Sequence, residues 1–446
     1  MLMVIFLLGI ALLMLLIIKF KINPFLALIF TAIVIGFGAG LPVSKMVSSI
    51  ASGFGGTMGG IGIVIALGII LGQLLYETGG TEGIARLVLK KIGIKNSPVA
   101  LCITGVIVAI PVFFDAAFVI LVNLAKQLSV KTGIPLARYV TALSVGLITG
   151  HCIIIPTPGP MAVADAVSAP IGSFVLYSLI ICVIAALVGG VLYYKLLAQK
   201  FFSEQSGKEQ DNIDFDVDNS SDRCPGSLAI VLILLPIMLI LIGTIASTLL
   251  DKTTTLGAAG AFIGDKNVAL FIGVVAALVM LRPYFKRPSE EMITDAGSQA
   301  GMVLLITGAG GSFGAIINAT GIGNYIVATM QDFNVPLILL GFILSQILRA
   351  AQGSSTVALI TTSAIVAPSI SAVGASPVLV GLAICCGGVG LSLPNDSGFW
   401  VVNRFSGLTF PQTMKTWTLG GFVAGLTGLI IVMILSLFQS VLPGLF

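Results

Sequence analysis

The sequence predicts an all-α polytopic membrane protein built from two inverted-topology repeats, and three observations lead to this fold class. Hydrophobic residues make up 57% of the 446 positions, charged residues only 9%, and the mean hydropathy is +1.12. Soluble domains carry about 25% charged residues. Many apolar runs approach the roughly 20 residues that a helix needs to cross a bilayer. Finally, polar and proline-containing breaks recur at the same spacing in both halves of the chain.

The first repeat is expected to cover residues 1–197. Its apolar N-terminus has neither a basic leading region nor a small-residue cleavage site, so it is expected to remain as the first helix. A Gly/Ser-rich connection is expected at Ser48–Gly60, and the basic stretch Arg86–Lys95 is expected to be a cytoplasmic loop. The apolar segments predict helices at Leu2–Ile18, Ile22–Gly40, Ile61–Tyr76, Val99–Leu124 with a break at Pro111–Asp115, Tyr139–Ile155 before a break at Pro156–Pro160, and Ile171–Leu197.

The second repeat, residues 228–446, follows a charged segment at 198–227 that reads as a solvated, cytoplasmic linker. Its apolar segments predict spans at Leu228–Leu250, Asn267–Leu281, Met302–Ala319 and Trp417–Phe438, with a broken pair around Arg349–Thr356 and a further break at Pro394–Gly398. Pro111 and Arg349 are 238 positions apart, and so are Pro156 and Pro394. Two halves with matching discontinuities are typical of a repeat-built transporter whose site lies near the bilayer midplane.

The placement of basic residues predicts that the two repeats have opposite orientations. If each repeat contributes one re-entrant hairpin and one broken span, 18 of the 22 basic residues lie on the cytoplasmic side. This arrangement obeys the positive-inside rule, and it leaves Arg349 within the membrane. The resulting topology has about ten full spans and two hairpins, with both termini outside.

Arg349 is the centre of the predicted binding site, because a charge at membrane depth costs at least about 2.5–3.5 kcal/mol and is usually retained for a ligand or partner. The alternative is an arginine that snorkels to the interface or pairs with a buried carboxylate for structure alone. Broken helices also leave positive N-termini and free backbone groups that suit a carboxylate. The candidate substrate-binding residues are Arg349, Gln352, Gly353, Ser354, Ser355, Thr356, Asn395, Asp396, Ser397, Thr157 and Phe114.

Four residues are candidates for coupling transport to a proton. Asp115 and Asp396 are carboxylates at membrane depth, and either could instead cap a helix or form a fixed ion pair with Arg349. His151 precedes a break, where a packed or capping histidine is an equal alternative. Glu77 lies at a predicted helix end, which favours a structural role. Coupling to Na⁺ is also open, since Ser354–Thr356 and free carbonyls could bind that ion.

Catalysis is disfavoured by what the sequence lacks. There is one histidine, no Gly-Lys-Ser/Thr phosphate-binding loop and no metal-ligand spacing, so neither a cofactor nor a metal is expected. The six cysteines fall mostly inside apolar runs and are expected to be small buried side chains. Nothing in the charge pattern points to nucleic acid. A channel remains the other functional class, although paired breaks around one charge favour a carrier.

The chain resembles the gluconate permease family of bacterial proton symporters, within the wider ion transporter superfamily. The resemblance rests on Leu348-Arg-Ala-Ala-Gln-Gly-Ser-Ser-Thr-Val357, Pro394-Asn-Asp-Ser-Gly-Phe-Trp400, Lys415-Thr-Trp417 and Glu77-Thr-Gly-Gly80. It implies proton-coupled uptake of gluconate or a related small hydroxy-carboxylate across the bacterial inner membrane, with some relatives taking D-serine. It also implies a homodimer and an elevator-like motion. Leu391-Ser-Leu393 departs from the more polar residues of relatives.

Overall fold

The computed structural model describes residues 2–196, 223–250, 254–322, 336–394 and 396–445, and in these ranges every regular element is a helix. The first half contains α1 (Leu2–Ile18), α2 (Pro24–Gly38), α3 (Val43–Glu77), α4 (Gly80–Ile92), α5 (Ser97–Val108), α6 (Phe114–Thr132), α7 (Leu136–Ile153), α8 (Pro158–Ala166), α9 (Ile171–Leu187) and α10 (Tyr193–Leu196). A π-helical turn, Val188–Leu192, joins the last two.

The second half of the described chain is also built of helices and breaks. It contains α11 (Gly226–Leu249), α12 (Thr255–Ile263), α13 (Lys266–Met280), α14 (Ser289–Ala319), α15 (Leu337–Gln352), α16 (Ser355–Val373), α17 (Pro377–Val389), α18 (Ser397–Ser406), α19 (Phe410–Thr413) and α20 (Leu419–Leu437). The four expected breaks are all present, between α5 and α6, α7 and α8, α15 and α16, and α17 and α18.

Six helices of the described chain are long and apolar enough to cross a membrane, or eight if each of two bent helix pairs forms one span. The bent pairs are Gly80–Ile92 with Ile94–Val108, at 113°, and α12 with α13, at 67°. Several shorter apolar helices flank the breaks. An all-helical membrane protein is therefore confirmed. The count of ten spans and two hairpins, and the inverted orientation of the repeats, remain predictions.

Two local expectations were wrong, and both concern segments assigned to connections. The Ser48–Gly60 segment is not a connection but part of the 35-residue helix α3. Its glycines permit a close helix crossing, because a Cβ at Gly53 would lie 2.5 Å from the carbonyl oxygen of Gly311 in α14. The basic stretch Arg86–Lys95 is also largely helical, since α4 continues to Ile92.

The centre of the molecule is formed by α7 and α17, which pack on each other. All residues of Tyr139–Ile153 and of Val378–Val389 are buried. Small residues allow the close packing, as at Gly146, where a Cβ would lie 2.3 Å from the carbonyl oxygen of Cys102 in α5. Both central helices end at breaks, so the breaks lie inside the protein.

Candidate substrate-binding site

Arg349 lies in the last turn of α15, and its residue is only 1% exposed. The helix ends there because Gly353 adopts φ +74°, a left-handed conformation that glycine accepts readily, and donates its N–H to the carbonyl of Arg349 at 3.0 Å. Ser354 then caps α16 by accepting the N–H of Val357 at 3.4 Å. This tight reversal holds the arginine beside the tip of a helical hairpin.

Asp396 is the partner of Arg349. Arg349 Nη2 donates to Asp396 Oδ2 at 2.6 Å, and both side chains are almost fully buried. The same carboxylate caps α18 by accepting the N–H of Gly398 on Oδ1 at 2.9 Å. It also accepts a hydrogen bond from the Ser392 hydroxyl. Both structural roles considered for this residue, the helix cap and the ion pair, are therefore present together.

A tryptophan behind the ion pair holds Asp396 in place through Ser392. Trp417 Nε1 donates to Ser392 Oγ at 2.6 Å, and Thr418 Oγ1 donates to the Ser392 carbonyl at 2.5 Å. The preceding residue, Leu391, has φ +48°, which is uncommon for a bulky side chain and marks local strain. The Leu391–Leu393 segment thus presents a hydroxyl to the carboxylate rather than continuing α17.

The first break joins this cluster through Phe114, the first residue of α6. The ring of Phe114 lies 4.6 Å from that of Trp417, centroid to centroid. A Cβ at Gly398 would lie 3.4 Å from the Phe114 ring. Asp115 and His151 both lie within electrostatic range of Arg349. The structure therefore brings these predicted residues from three chain breaks together.

The remaining break, Pro156–Pro160, packs against the other end of the hairpin tip. A Cβ at Gly159 would lie 3.8 Å from the Cα of Thr356 and 2.8 Å from the Leu359 side chain. Thr157 is buried and donates its hydroxyl to the Ile154 carbonyl. Four helices, α6, α8, α16 and α18, therefore begin near one region, and their N-termini favour an anion.

Several polar atoms in this region have no hydrogen-bond partner among the described residues. They include Nε and Nη1 of Arg349 and, one turn earlier on α15, Ser345 Oγ and both amide atoms of Gln346. Ser345 and Gln346 are 0% and 6% exposed. The Gln346 amide lies against the backbone that leads to Ser392, since a Cβ at Gly390 would be 2.7 Å from its Nε2. Buried polar groups are normally paired, so these atoms are available to a ligand.

Sequence reasoning missed Ser345 and Gln346, although a signal was present. They form the only polar pair in the apolar run before Arg349, and they lie four and three residues before it. Residues at these spacings share one face of a helix.

Glu77 lies outside the cluster. It ends α3, where its Oε1 accepts bonds from Arg287 Nη2 at 2.7 Å and Gln73 Nε2 at 3.0 Å. Arg287 donates hydrogen bonds to the carboxylates of Asp295 and Glu77, and these bonds raise the pKa of Arg287 above its ordinary value. The side chain of Gln352 and the whole of Asn395 lie outside the described residues. Ser397 is exposed at the start of α18, and Ser355 is nearly buried at the start of α16.

Among the residues that the structure describes, no group of three or more His, Cys, Asp or Glu side chains is placed to hold a metal ion. All six cysteines are free and buried, as expected from their apolar surroundings.

Comparison with known proteins gives the family. The GntP family permease model matches residues 1–438. The chain is 33% identical over 426 residues to the Gnt-II system L-idonate transporter of Escherichia coli K12, covering 95% of this chain and 96% of that protein. It is 30% identical over 439 residues to the high-affinity gluconate transporter of the same organism, with coverage of 96% and 98%. It is 33% identical over 427 residues to the D-serine transporter DsdX, also from that strain, with 95% coverage of both.

Solved structures with a similar fold are also transporters. The Alcanivorax borkumensis YdaH transporter superposes with a TM-score of 0.69, at 14% identity, over 89% of each chain. MtrF of Neisseria gonorrhoeae gives 0.62, at 18% identity, over 88% of this chain and 84% of that one. At these identities the similarity shows the fold alone.

The family and the apolar helices together confirm three expectations made from the sequence. The protein crosses the bacterial inner membrane several times, it transports small molecules, and it is not an enzyme. The chain belongs to the GntP family of permeases.

Proposed function

We propose that the protein is a secondary active transporter that takes up gluconate or a related small hydroxy-carboxylate together with a proton. The relatives named for L-idonate and gluconate transport support this substrate class. Transport would proceed by alternating access, with an elevator-like movement of the domain that contains the two re-entrant hairpins. The homodimer implied by the family resemblance is part of the same proposal.

The observation that carries the proposal is the half-satisfied guanidinium of Arg349. One nitrogen pairs with Asp396, while Nε and Nη1 have no hydrogen-bond partner among the described residues. An unpaired buried donor costs about 1–3 kcal/mol, and more when it is charged. Nε and Nη1 donate in different directions, so a substrate oxygen at either nitrogen recovers part of that cost through a charge-assisted hydrogen bond.

The neighbouring groups suit the rest of a sugar acid. Its hydroxyl groups can donate to and accept from the Gln346 amide and the Ser345 hydroxyl, which are buried and unpartnered in the described chain. Phe114 and Trp417 supply an apolar wall that limits water in the site. Asp396, occupied by three donors, orients Arg349 and would repel a misplaced carboxylate.

A thermal-shift screen of the purified protein tests this proposal. Sugar acids should raise the melting temperature in proportion to their affinity, whereas dicarboxylates should not. A Na⁺ requirement for the shift would favour the alternative, a sodium-coupled carboxylate carrier. A shift with D-serine alone would favour a small-acid symporter like DsdX. Counterflow of labelled gluconate in vesicles then separates a carrier from a channel, because only a carrier exchanges substrate across the membrane.

A further inference from the structure

A second cavity of about 320 Å³ lies away from Arg349, between the helix pair α3 and α14 and the helix pair α8 and α16. Sites for small molecules commonly measure about 300–1,000 Å³. A water molecule occupies about 30 Å³, so this space holds one small hydroxy-acid with several waters. By contrast, the cavity beside the breaks at Pro111 and Pro156 measures only about 10 Å³.

The walls of the large cavity combine small apolar residues with polar side chains and carry little unbalanced charge. Hydroxyl groups come from Thr57, Thr307 and Ser363. The one carboxylate, Asp165, is paired with Lys266 at 3.4 Å. Hydroxyls suit a polyhydroxylated ligand, and Lys266, which does not itself line the cavity, neutralises the carboxylate that would otherwise repel an anion.

The cavity extends from exposed residues to buried ones near the predicted binding site. Ser52 and Asn318 are exposed at its mouth, whereas Thr307, Ser363 and Ile360 are almost fully buried at its floor. Ile360 follows Thr356 by four residues, which is about one helical turn or 6 Å. The floor therefore lies next to the tip of the α15–α16 hairpin, where Gly159 also packs.

We propose that this cavity, here named the access chamber, admits a hydroxylated monoanion from the outer side and passes it to Arg349. The proposal rests on the proposed function and on the predicted topology, which places Lys266 and the end of α8 outside. Lys266 keeps Asp165 from repelling the anion, the hydroxyls replace part of its hydration shell, and the floor delivers it to the hairpin tip.

Two adjacent glycines of α3 allow a matched test. Gly56 lines the access chamber, whereas Gly55 does not. A Cβ at either position would meet no atom within 4 Å, and both residues are exposed in the interior of the same helix. Leucine at either site therefore gains the same helix propensity without a clash. The two variants differ only in whether the new side chain fills the chamber.

The experiment compares Gly56→Leu with Gly55→Leu for gluconate uptake by cells and for gluconate binding by the purified proteins. Uptake by Gly56→Leu should fall by about tenfold or more because access limits turnover, while equilibrium binding stays close to that of the unsubstituted protein. Gly55→Leu should match the unsubstituted protein in both measurements. Equal uptake by the two variants overturns the proposal.

Thiol labelling gives a second readout that does not depend on a bulky substitution. All six native cysteines are buried, so an introduced cysteine dominates the reaction. An impermeant reagent should label Gly56→Cys from outside, and gluconate should slow that labelling but not the labelling of Gly55→Cys. Labelling at Gly56→Cys that substrate leaves unchanged contradicts the chamber. Failure of the proposed function itself would appear differently, as an unsubstituted protein that binds no sugar acid.

Discussion

At the scale of single residues, the Arg349–Asp396 pair is unusual because its two side chains differ in how completely they are hydrogen-bonded. Asp396 accepts bonds from Arg349, Ser392 and Gly398, whereas two of the arginine nitrogens are unpartnered in the described chain. A purely structural ion pair gains most when every donor and acceptor is satisfied. This difference suits a ligand site, because Asp396 fixes the position of the arginine and leaves the other nitrogens of Arg349 to bind the substrate.

Gln346 provides a first prediction at this scale. Gln346→Leu removes two buried, unpartnered amide atoms at nearly constant volume, so the ligand-free protein should become more stable by about 1–3 kcal/mol. If the amide binds a substrate hydroxyl, gluconate affinity should fall at the same time. Melting temperature and binding of the purified variant measure both effects.

Ser369→Ala is the control for the expected gain in stability and loss of gluconate affinity in Gln346→Leu. Ser369 is also fully buried with an unpartnered hydroxyl, but it lies fourteen residues beyond Ser355 on α16. Its removal should leave gluconate affinity unchanged. Unaltered affinity in Gln346→Leu would assign that residue to packing alone.

Asp115 carries the second prediction, which concerns proton coupling. It lies in the first turn of α6 and forms no ion pair among the described residues, whereas Asp396 is held by three donors, so Asp115 is the carboxylate chosen for the test. Asp115→Asn should abolish gluconate accumulation driven by a pH gradient but permit exchange of labelled gluconate. Vesicles with imposed gradients make the measurement. Sodium-driven uptake in the unsubstituted protein, indifferent to pH, would contradict proton coupling.

At the scale of elements, the breaks could be predicted and the continuous glycine-rich helices could not. Pro111, Pro156 and Pro394 interrupt apolar runs by removing a backbone donor, a local effect that sequence reveals. The glycines in Ser48–Gly60 predict a connection, whereas the structure has a continuous helix there. Contact with α14 at Gly311 stabilises α3 there, and that contact is invisible in the sequence of α3 alone.

The topology is the third prediction, since the inverted orientation of the repeats follows from charge placement. Cysteines introduced as Lys91→Cys and Lys131→Cys should be protected from an impermeant thiol reagent in intact cells. Asp332→Cys, in a segment outside the described residues, should be labelled. The expected pattern reflects the excess of Lys and Arg in cytoplasmic loops. Equal labelling of Lys91→Cys and Asp332→Cys would rule out the inverted arrangement.

At the scale of the whole molecule, the four breaks meet because α7 and α17 run side by side through its centre. The sequence left open an ion pair of Arg349 with either Asp115 or Asp396, and the structure pairs Arg349 with Asp396. The contributions of Trp417, Ser392 and Gln346 could not be predicted. Each depends on a tertiary contact that no local sequence pattern encodes. Trp417 contacts Ser392, 25 residues away, and Gln346 contacts Gly390, 44 residues away.

Gluconate affinity of Arg349→Ala is the most direct test of the central claim that Arg349 binds the substrate carboxylate. The variant leaves Asp396 buried without its cation, which can cost about 3–5 kcal/mol of stability. The double variant Arg349→Ala, Asp396→Asn removes that unpaired charge and serves as the folding control. Arg349→Lys keeps the charge but loses the planar fork of donors.

The measurement is gluconate binding to purified, monodisperse proteins by calorimetry. Arg349→Ala and the double variant should both lose about 2–5 kcal/mol of binding free energy, as expected for a desolvated charge pair. Arg349→Lys should retain weak binding with poorer selectivity among anions. Well-folded Arg349→Ala that binds gluconate with unchanged affinity would contradict the claim and leave Arg349 a structural residue.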